Sequence, residues 1–401
     1  MNQIQNANQN TVPHISTYGL ALFLFLTPFE YPLADLTSTS PLRIIGLIAM
    51  GLAVLDILTC GAIKFDYRTI CIGLWLVYGM FSYFWAIDEQ RFQSYYSIYI
   101  NNALMFILFS MISFTKHEAN VLKKAMVYGV GALLLYMTFI PGAVVYSTYQ
   151  NRLTLNAGVE GLDQNYLASL MLVPFGIVFY NLCKPNKNSS HKVIPIIFCI
   201  AIAYYTLLTG SRSGLIAVFL IVLLSVNTSW KTRLYVGIPV VLIMLIVLPF
   251  AAHYIPEDLL ERFSLKALTG QEVESGTRLI IWGQAIASLK DLNWVFGYGA
   301  GASQTVIGNA LGWGDAAIHN HYIAMLVEFG VIGFLFVNIP ILKMYRTMAK
   351  NDKGMAVSFA GILLMAFFLD VVTTKFFWSA MILLSICCSI PRNISDGGVR
   401  K

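Results

Sequence analysis

Long apolar runs separated by short polar breaks dominate the chain. A helix that crosses a bilayer needs roughly 20 mainly apolar residues. Runs of that kind fall at 17–34, 41–60, 69–87, 96–114, 125–145 and 166–183, and again at 193–209, 214–226, 234–252, 322–342, 355–373 and 376–390. The eighth, 214–226, is short and must tilt or extend to span. The pattern predicts an all-α polytopic membrane protein with about twelve spans, forming a single membrane domain over 1–401. One connection is long, residues 253–320 between the ninth and tenth spans. Apolar and aromatic residues recur in it at helical spacing (Leu259, Leu260, Phe263, then Leu279, Ile280, Trp282, Ile286), which predicts short helices lying on the membrane face.

Composition supports this reading. Hydrophobic residues make up 57% of the chain and charged residues 11%, against roughly 25% charged in a soluble domain. The six cysteines lie in or beside apolar runs without CxxC spacing, so no disulfide framework or zinc ribbon is implied. The polar N-terminal stretch lacks the basic region of a signal peptide, so the first run is expected to be a retained span. Of the 26 lysines and arginines, seventeen fall in the tail and loops on one side of the alternating topology and nine on the other. The richer side is expected to be cytoplasmic and to hold both termini. The outer loops carry more acids than bases, which argues against nucleic acid as a partner.

Four polar clusters fall on the outer side. The first is Thr209-Gly210-Ser211-Arg212-Ser213-Gly214, a turn that places Ser211 and Arg212 at a helix start, where backbone N–H groups favour anions. A guanidinium there adds bidentate phosphate recognition; an arginine reaching for lipid headgroups fits the same position. The second runs from Arg152 to Asp163-Gln164-Asn165, where a local Arg152–Asp163 ion pair and ligand contact are both open, and where Asp163 and Asn165 suit a helix N-cap. The third is Ser275-Gly276-Thr277-Arg278 with Trp282, followed by the glycine-rich 297–301. A solvated surface arginine fits Arg278 equally well. The fourth is His319-Asn320-His321, whose imidazoles suit general base work, half of a metal site or an interfacial structural role. No cysteine or EXXH partner supports a metal, and none is expected. Glu328 and Asp370 fall inside spans and are structural candidates.

Taken in order, these motifs resemble the O-antigen ligase and O-antigen polymerase superfamily. The resemblance rests on His319-Asn320 followed by Gly330-Val331-Ile332-Gly333, on the Gly210–Gly214 turn, on Arg152 with Asp163-Gln164-Asn165, and on Thr277-Arg278 with the glycines at 297–301. It covers roughly residues 152–333. It implies a GT-C-like fold and a glycosyltransferase of the bacterial inner membrane that uses neither metal nor other cofactor. The implied donor is a glycan on undecaprenyl pyrophosphate, and the implied acceptor is lipid A–core for a ligase or a second lipid-linked glycan for a polymerase. Chemistry then falls to His319, Arg212 and Arg278, with Arg152, Asp163, Asn165, Ser211, Asn320 and His321 contacting substrate, all facing the exterior. The spacing from His319 to Gly330 leans towards ligase. A flippase or other transporter predicts internal symmetry and mid-membrane ionisable groups; no such symmetry is visible. A purely structural membrane protein leaves the outer arginines and histidines unexplained.

Overall fold

The computed structural model describes residues 13–36, 40–60, 63–147, 151–156, 162–184, 192–226 and 273–390. The ninth expected span, 234–252, and the first part of the outer loop with His253 lie outside the described residues.

The described chain is mostly helical. Helices α1 (Ile15–Leu26) and α2 (Glu30–Leu36) divide the first apolar run at a 3₁₀ turn, Thr27–Phe29. Pro28 lies in that turn; its ring crowds the carbonyl four residues back and it has no N–H to continue the ladder. Helices α3 (Pro41–Cys60), α4 (Tyr67–Phe81), α5 (Glu89–Met111) and α6 (Lys116–Phe139) follow. Asp66 and Thr115 start α4 and α6 with reciprocal capping boxes.

A short hairpin, not expected from the sequence, then pairs β1 (Val144–Tyr146) with β2 (Leu153–Leu155), matching Val144 to Leu155 and Tyr146 to Leu153. Its β-branched and aromatic residues suit a strand. The expected span 166–183 is two helices, α7 (Gln164–Leu170) and α8 (Leu172–Leu182). They part at Met171 because Pro174 disrupts the bond to the Leu170 carbonyl. Next come α9 (Val193–Leu208) and α10 (Arg212–Ser225).

The described part of the long connection is helical, as the periodicity at Leu279, Ile280, Trp282 and Ile286 predicts, with α11 (Val273–Ser288), α12 (Asn293–Phe296) and α13 (Ala302–Leu311); Leu259, Leu260 and Phe263 lie outside the described residues. The chain closes with α14 (His321–Asn351), α15 (Lys353–Met365) and α16 (Lys375–Ser389). The expected run 355–373 is helical only to Met365; residues 366–374 form turns whose Ala366 carbonyl accepts from His321 N at 2.8 Å.

Among the described residues, four helical stretches are long and apolar enough to cross a membrane: Pro41–Thr59, Lys116–Phe139, Gln164–Leu182 and His321–Asn351. Four shorter apolar helices accompany them: α9, α10, α15 and α16. Twelve full spans are thus an expectation that the described residues meet only in part.

Helix contacts assign the two ends of the bundle. At one end Arg68, in the first turn of α4, holds Asp66 and the α16 residues Ser385 and Ser389, while Lys123 near the start of α6 pairs with Asp352 between α14 and α15. At the other end lie the N-termini of α5, α7, α10, α14 and α16, and with them Arg152, Asp163, Asn165, Ser211, Arg212, His319, Asn320 and His321. Between the two, Trp75 stacks on Trp378 at 6.0 Å and meets Phe329 at 5.5 Å, locking α4, α16 and α14 together. Lipid offers no hydrophobic drive for helix association, so such packing and the buried Ser110–Ser385 hydroxyl bond (2.7 Å) carry it.

Helix α14 is kinked at Gly330, which has φ 59° and ψ −166°. The Val327 and Glu328 carbonyls leave the helical ladder and instead accept from Tyr298 N and Gly299 N, both at 2.9 Å. A Cβ on Gly330 would meet the Val295 carbonyl oxygen at 2.2 Å. Gly297 and Gly330 therefore let the two backbones touch, while Gly299 and Gly301 lie close to Ala86 and Arg91.

Candidate active site

The hairpin, α7 and the start of α10 bring four candidates together. Asp163 caps α7, accepting from Asn165 N at 2.7 Å and Tyr166 N at 3.0 Å. Ser211 caps α10, accepting from Gly214 N at 3.1 Å and donating its hydroxyl to Asn165 Oδ1 at 2.8 Å. Arg152, fixed at the start of β2, donates from Nε to the Thr209 carbonyl at 2.8 Å and from Nη2 to Asn165 Oδ1 at 3.5 Å. Arg152, Asn165 and Ser211 are all buried. The guanidinium therefore bonds Thr209 and Asn165, and Asp163 spends its carboxylate on the helix cap.

Arg212 is the first residue of α10 and is half-buried. Arg278 is half-buried on α11, one turn before Trp282 and so on the same face of that helix. Trp282 Nε1 donates to the Ile318 carbonyl at 2.9 Å, which pins this face of α11 to the residue preceding His319.

His319 has a left-handed backbone, φ 50°. It lines a cavity of about 800 Å³ that is also lined by Asp163, Tyr95, Gln304, Asp370 and Lys375. Arg152, Arg212 and Arg278 are not among the lining residues. Asn320 is the N-cap of α14, its Oδ1 accepting from Ile323 N at 3.1 Å. His321, expected to face the exterior, is 1% exposed. It packs against Tyr322 and Phe377, with Nδ1 3.8 Å from Asp370 Oδ1. The two imidazoles flanking Asn320 therefore part ways, one to the cavity and one beneath it.

Glu30, Gln304 and Lys375 line the cavity without standing out as candidates in the sequence, and Asp88 lies beside them. Glu30 pairs with Lys375 and lies 3.3 Å from the Tyr166 hydroxyl, which donates to it. Gln304 on α13 donates to the Tyr95 hydroxyl at 2.6 Å and accepts from Arg91 at 2.5 Å. Asp88, the N-cap of α5, accepts from Arg91 N at 3.0 Å and from Thr305 Oγ1 at 2.8 Å. Those N–H and O–H donors hold its carboxyl below the usual 3.8. Glu328, deep in α14, accepts from Tyr99 at 2.7 Å and Ser303 at 2.6 Å, so it joins three elements as a structural acid. The one signal in the sequence was the isolated charge of Glu30 and Lys375 within or between apolar runs.

No curated protein matches the chain. Residues 195–337, from α9 through the kink of α14, match the family model described as O-antigen ligase. That stretch contains the Gly210–Gly214 turn, Arg278, the glycines at 297–301 and His319-Asn320 to Gly333. By this match residues 195–337 are similar to the domain of the O-antigen ligase and polymerase superfamily, a family that implies lipid-linked glycan substrates at a coarse level.

Proposed function

We propose that the protein is an inverting glycosyltransferase of the bacterial inner membrane, of GT-C type, with twelve spans and both termini cytoplasmic. It transfers a glycan from undecaprenyl pyrophosphate to an acceptor sugar hydroxyl at the outer face, as an O-antigen ligase. The observation that carries this reading is that buried Arg152 braces the turn carrying half-buried Arg212 at the bundle end where the cavity holding His319 lies.

An acceptor oxygen attacks the anomeric carbon of the donor sugar. The bond from that carbon to the phosphate oxygen breaks, and its electron pair leaves on the diphosphate. Arg212 and Arg278 offset the growing negative charge, and Arg152 braces the turn that carries Arg212. Removing one such donor costs about 10²–10³-fold in rate. His319 takes the acceptor proton, or orients the hydroxyl. The activated diphosphate leaving group supplies the driving force, so the step needs neither metal nor nucleotide.

Deletion of the gene tests the reading. A ligase leaves polymer on the carrier lipid and none on the acceptor. A polymerase leaves single repeat units capping the acceptor. Unchanged glycan in the deletion strain would remove the proposal.

A further inference from the structure

Helix α5 has 23 residues, yet it is not among the helices apolar enough to count as a span. The cause is a stripe of Ser94, Ser97, Asn101 and Asn102, spaced to lie on one helix face. At 1.5 Å per residue the stripe runs about 12 Å along the helix. All four residues line the cavity that holds His319.

Their hydrogen bonds are unequal. Ser94, Ser97 and Asn101 donate to carbonyls of their own helix at 3.1, 2.8 and 2.9 Å. The two hydroxyl donors and one N–H of Asn101 are thus satisfied while the oxygens keep capacity to accept. Asn102 is 8% exposed, and its Nδ2 has no partner. A buried amide in that state costs about 1–3 kcal/mol unless something binds it.

The adjoining wall comes from α3 and is mainly aliphatic, with Leu42, Gly46, Leu47 and Met50 beside Arg43. Of the lining cations, Arg43 lies in the first turn of α3 and Lys375 is paired with Glu30. Neutral amide and hydroxyl groups beside an aliphatic wall match a sugar ring, which offers hydroxyls at its edge and C–H groups on its face. A polyprenyl chain would leave Asn102 unpaired, and the cation of α5, Arg91, lies off this lining and is engaged by Asp88, Asp315 and Gln304. Polar groups at this depth of a membrane helix mark a substrate path.

We propose that the α3–α5 wall of the cavity is the acceptor-glycan subsite, with the Asn102 amide donating to sugar hydroxyls and Asn101 and Ser97 accepting from them. The assignment to acceptor rests on the transfer reading above. In-line displacement brings the acceptor from the side opposite the leaving diphosphate, and the arginines assigned to that diphosphate lie off this lining.

The test places Asn101→Cys in the full chain in nanodiscs and follows modification at that position by an impermeant maleimide, read by mass spectrometry. Asn101 is exposed, so the substitution leaves the fold in place. Two probes are compared: glycolipid acceptor extracted from the producing strain, and undecaprenyl phosphate. The glycolipid is expected to slow labelling about fivefold or more and undecaprenyl phosphate less than about twofold. Adding Asn102→Leu should remove the protection. Equal protection by undecaprenyl phosphate, or none by either probe, overturns the proposal. Transfer by the unsubstituted protein is measured alongside: protection without transfer keeps the glycan subsite and removes the enzyme reading instead.

Discussion

Substituting Gly330 by alanine should unseat the outer helices from the membrane bundle. The native residue sits at φ 59° and ψ −166°, a region essentially reserved for glycine. Holding an L-residue there costs about 1–3 kcal/mol. The added Cβ would also meet the Val295 carbonyl oxygen at 2.2 Å and its carbon at 2.3 Å. Backbone must therefore withdraw from backbone, and the bonds from Tyr298 N and Gly299 N to the α14 carbonyls stretch or break. Losing the two adds about 1 kcal/mol each. The total is about 3–5 kcal/mol, which lowers the melting temperature by about 6–10 °C at roughly 2 °C per kcal/mol. Tryptophan fluorescence of the detergent-solubilised protein reads this directly. Gly283→Ala is the matched control: that glycine lies mid-α11 with nothing within 4 Å of a built Cβ. It should be neutral or gain about 0.5–1 kcal/mol. A Gly330→Ala protein that melts within about 2 °C of the parent would refute the touching-backbone explanation of these glycines.

Other perturbations follow from the same geometry. Arg152→Lys keeps the charge but not the fork that reaches both Thr209 and Asn165; transfer in isolated membranes should fall at least about tenfold, and parental rates would contradict a positioning role. Trp282→Phe removes only the indole bond to the Ile318 carbonyl; it should slow transfer about tenfold with little change in melting temperature, because His319 loses its register with α11. The Asp88 carboxyl, held below 3.8, stabilises the docking of α13 above that value and loses this as pH falls through its lowered folded value. Hydrogen exchange over residues 302–311, corrected for intrinsic rates, should therefore stay flat down to about pH 4 and rise beneath it, and Asp88→Asn should erase the rise.

The helical, membrane-spanning class was legible because apolar runs report burial in lipid without needing a partner. Element ends were less so. Pro28 and Pro174 sit inside runs that read as continuous, yet each divides its helix. The kink at Gly330 depends on Val295, thirty-five residues upstream, and no local pattern encodes such a meeting. Arg152, Asp163, Asn165 and Ser211 were legible as residues worth naming, and the structure joins them through Asn165. His319 and His321 look alike in sequence; only the start of α14 at Asn320 separates the cavity-facing imidazole from the buried one. Most of the polar face of α5 falls inside the apolar run 96–114, where Ser97, Asn101 and Asn102 interrupt the run without ending it.

The binding of undecaprenyl pyrophosphate to the purified protein tests the anion-holding role of Arg212 and Arg278 most directly. Native mass spectrometry of the parent, Arg212→Ala and Arg278→Ala in matched detergent gives the relative affinities. Each variant is expected to bind the diphosphate about tenfold or more weakly, the loss of one charge-assisted hydrogen bond, while binding uncharged undecaprenol unchanged. Equal affinity for the diphosphate in all three proteins would contradict the assignment.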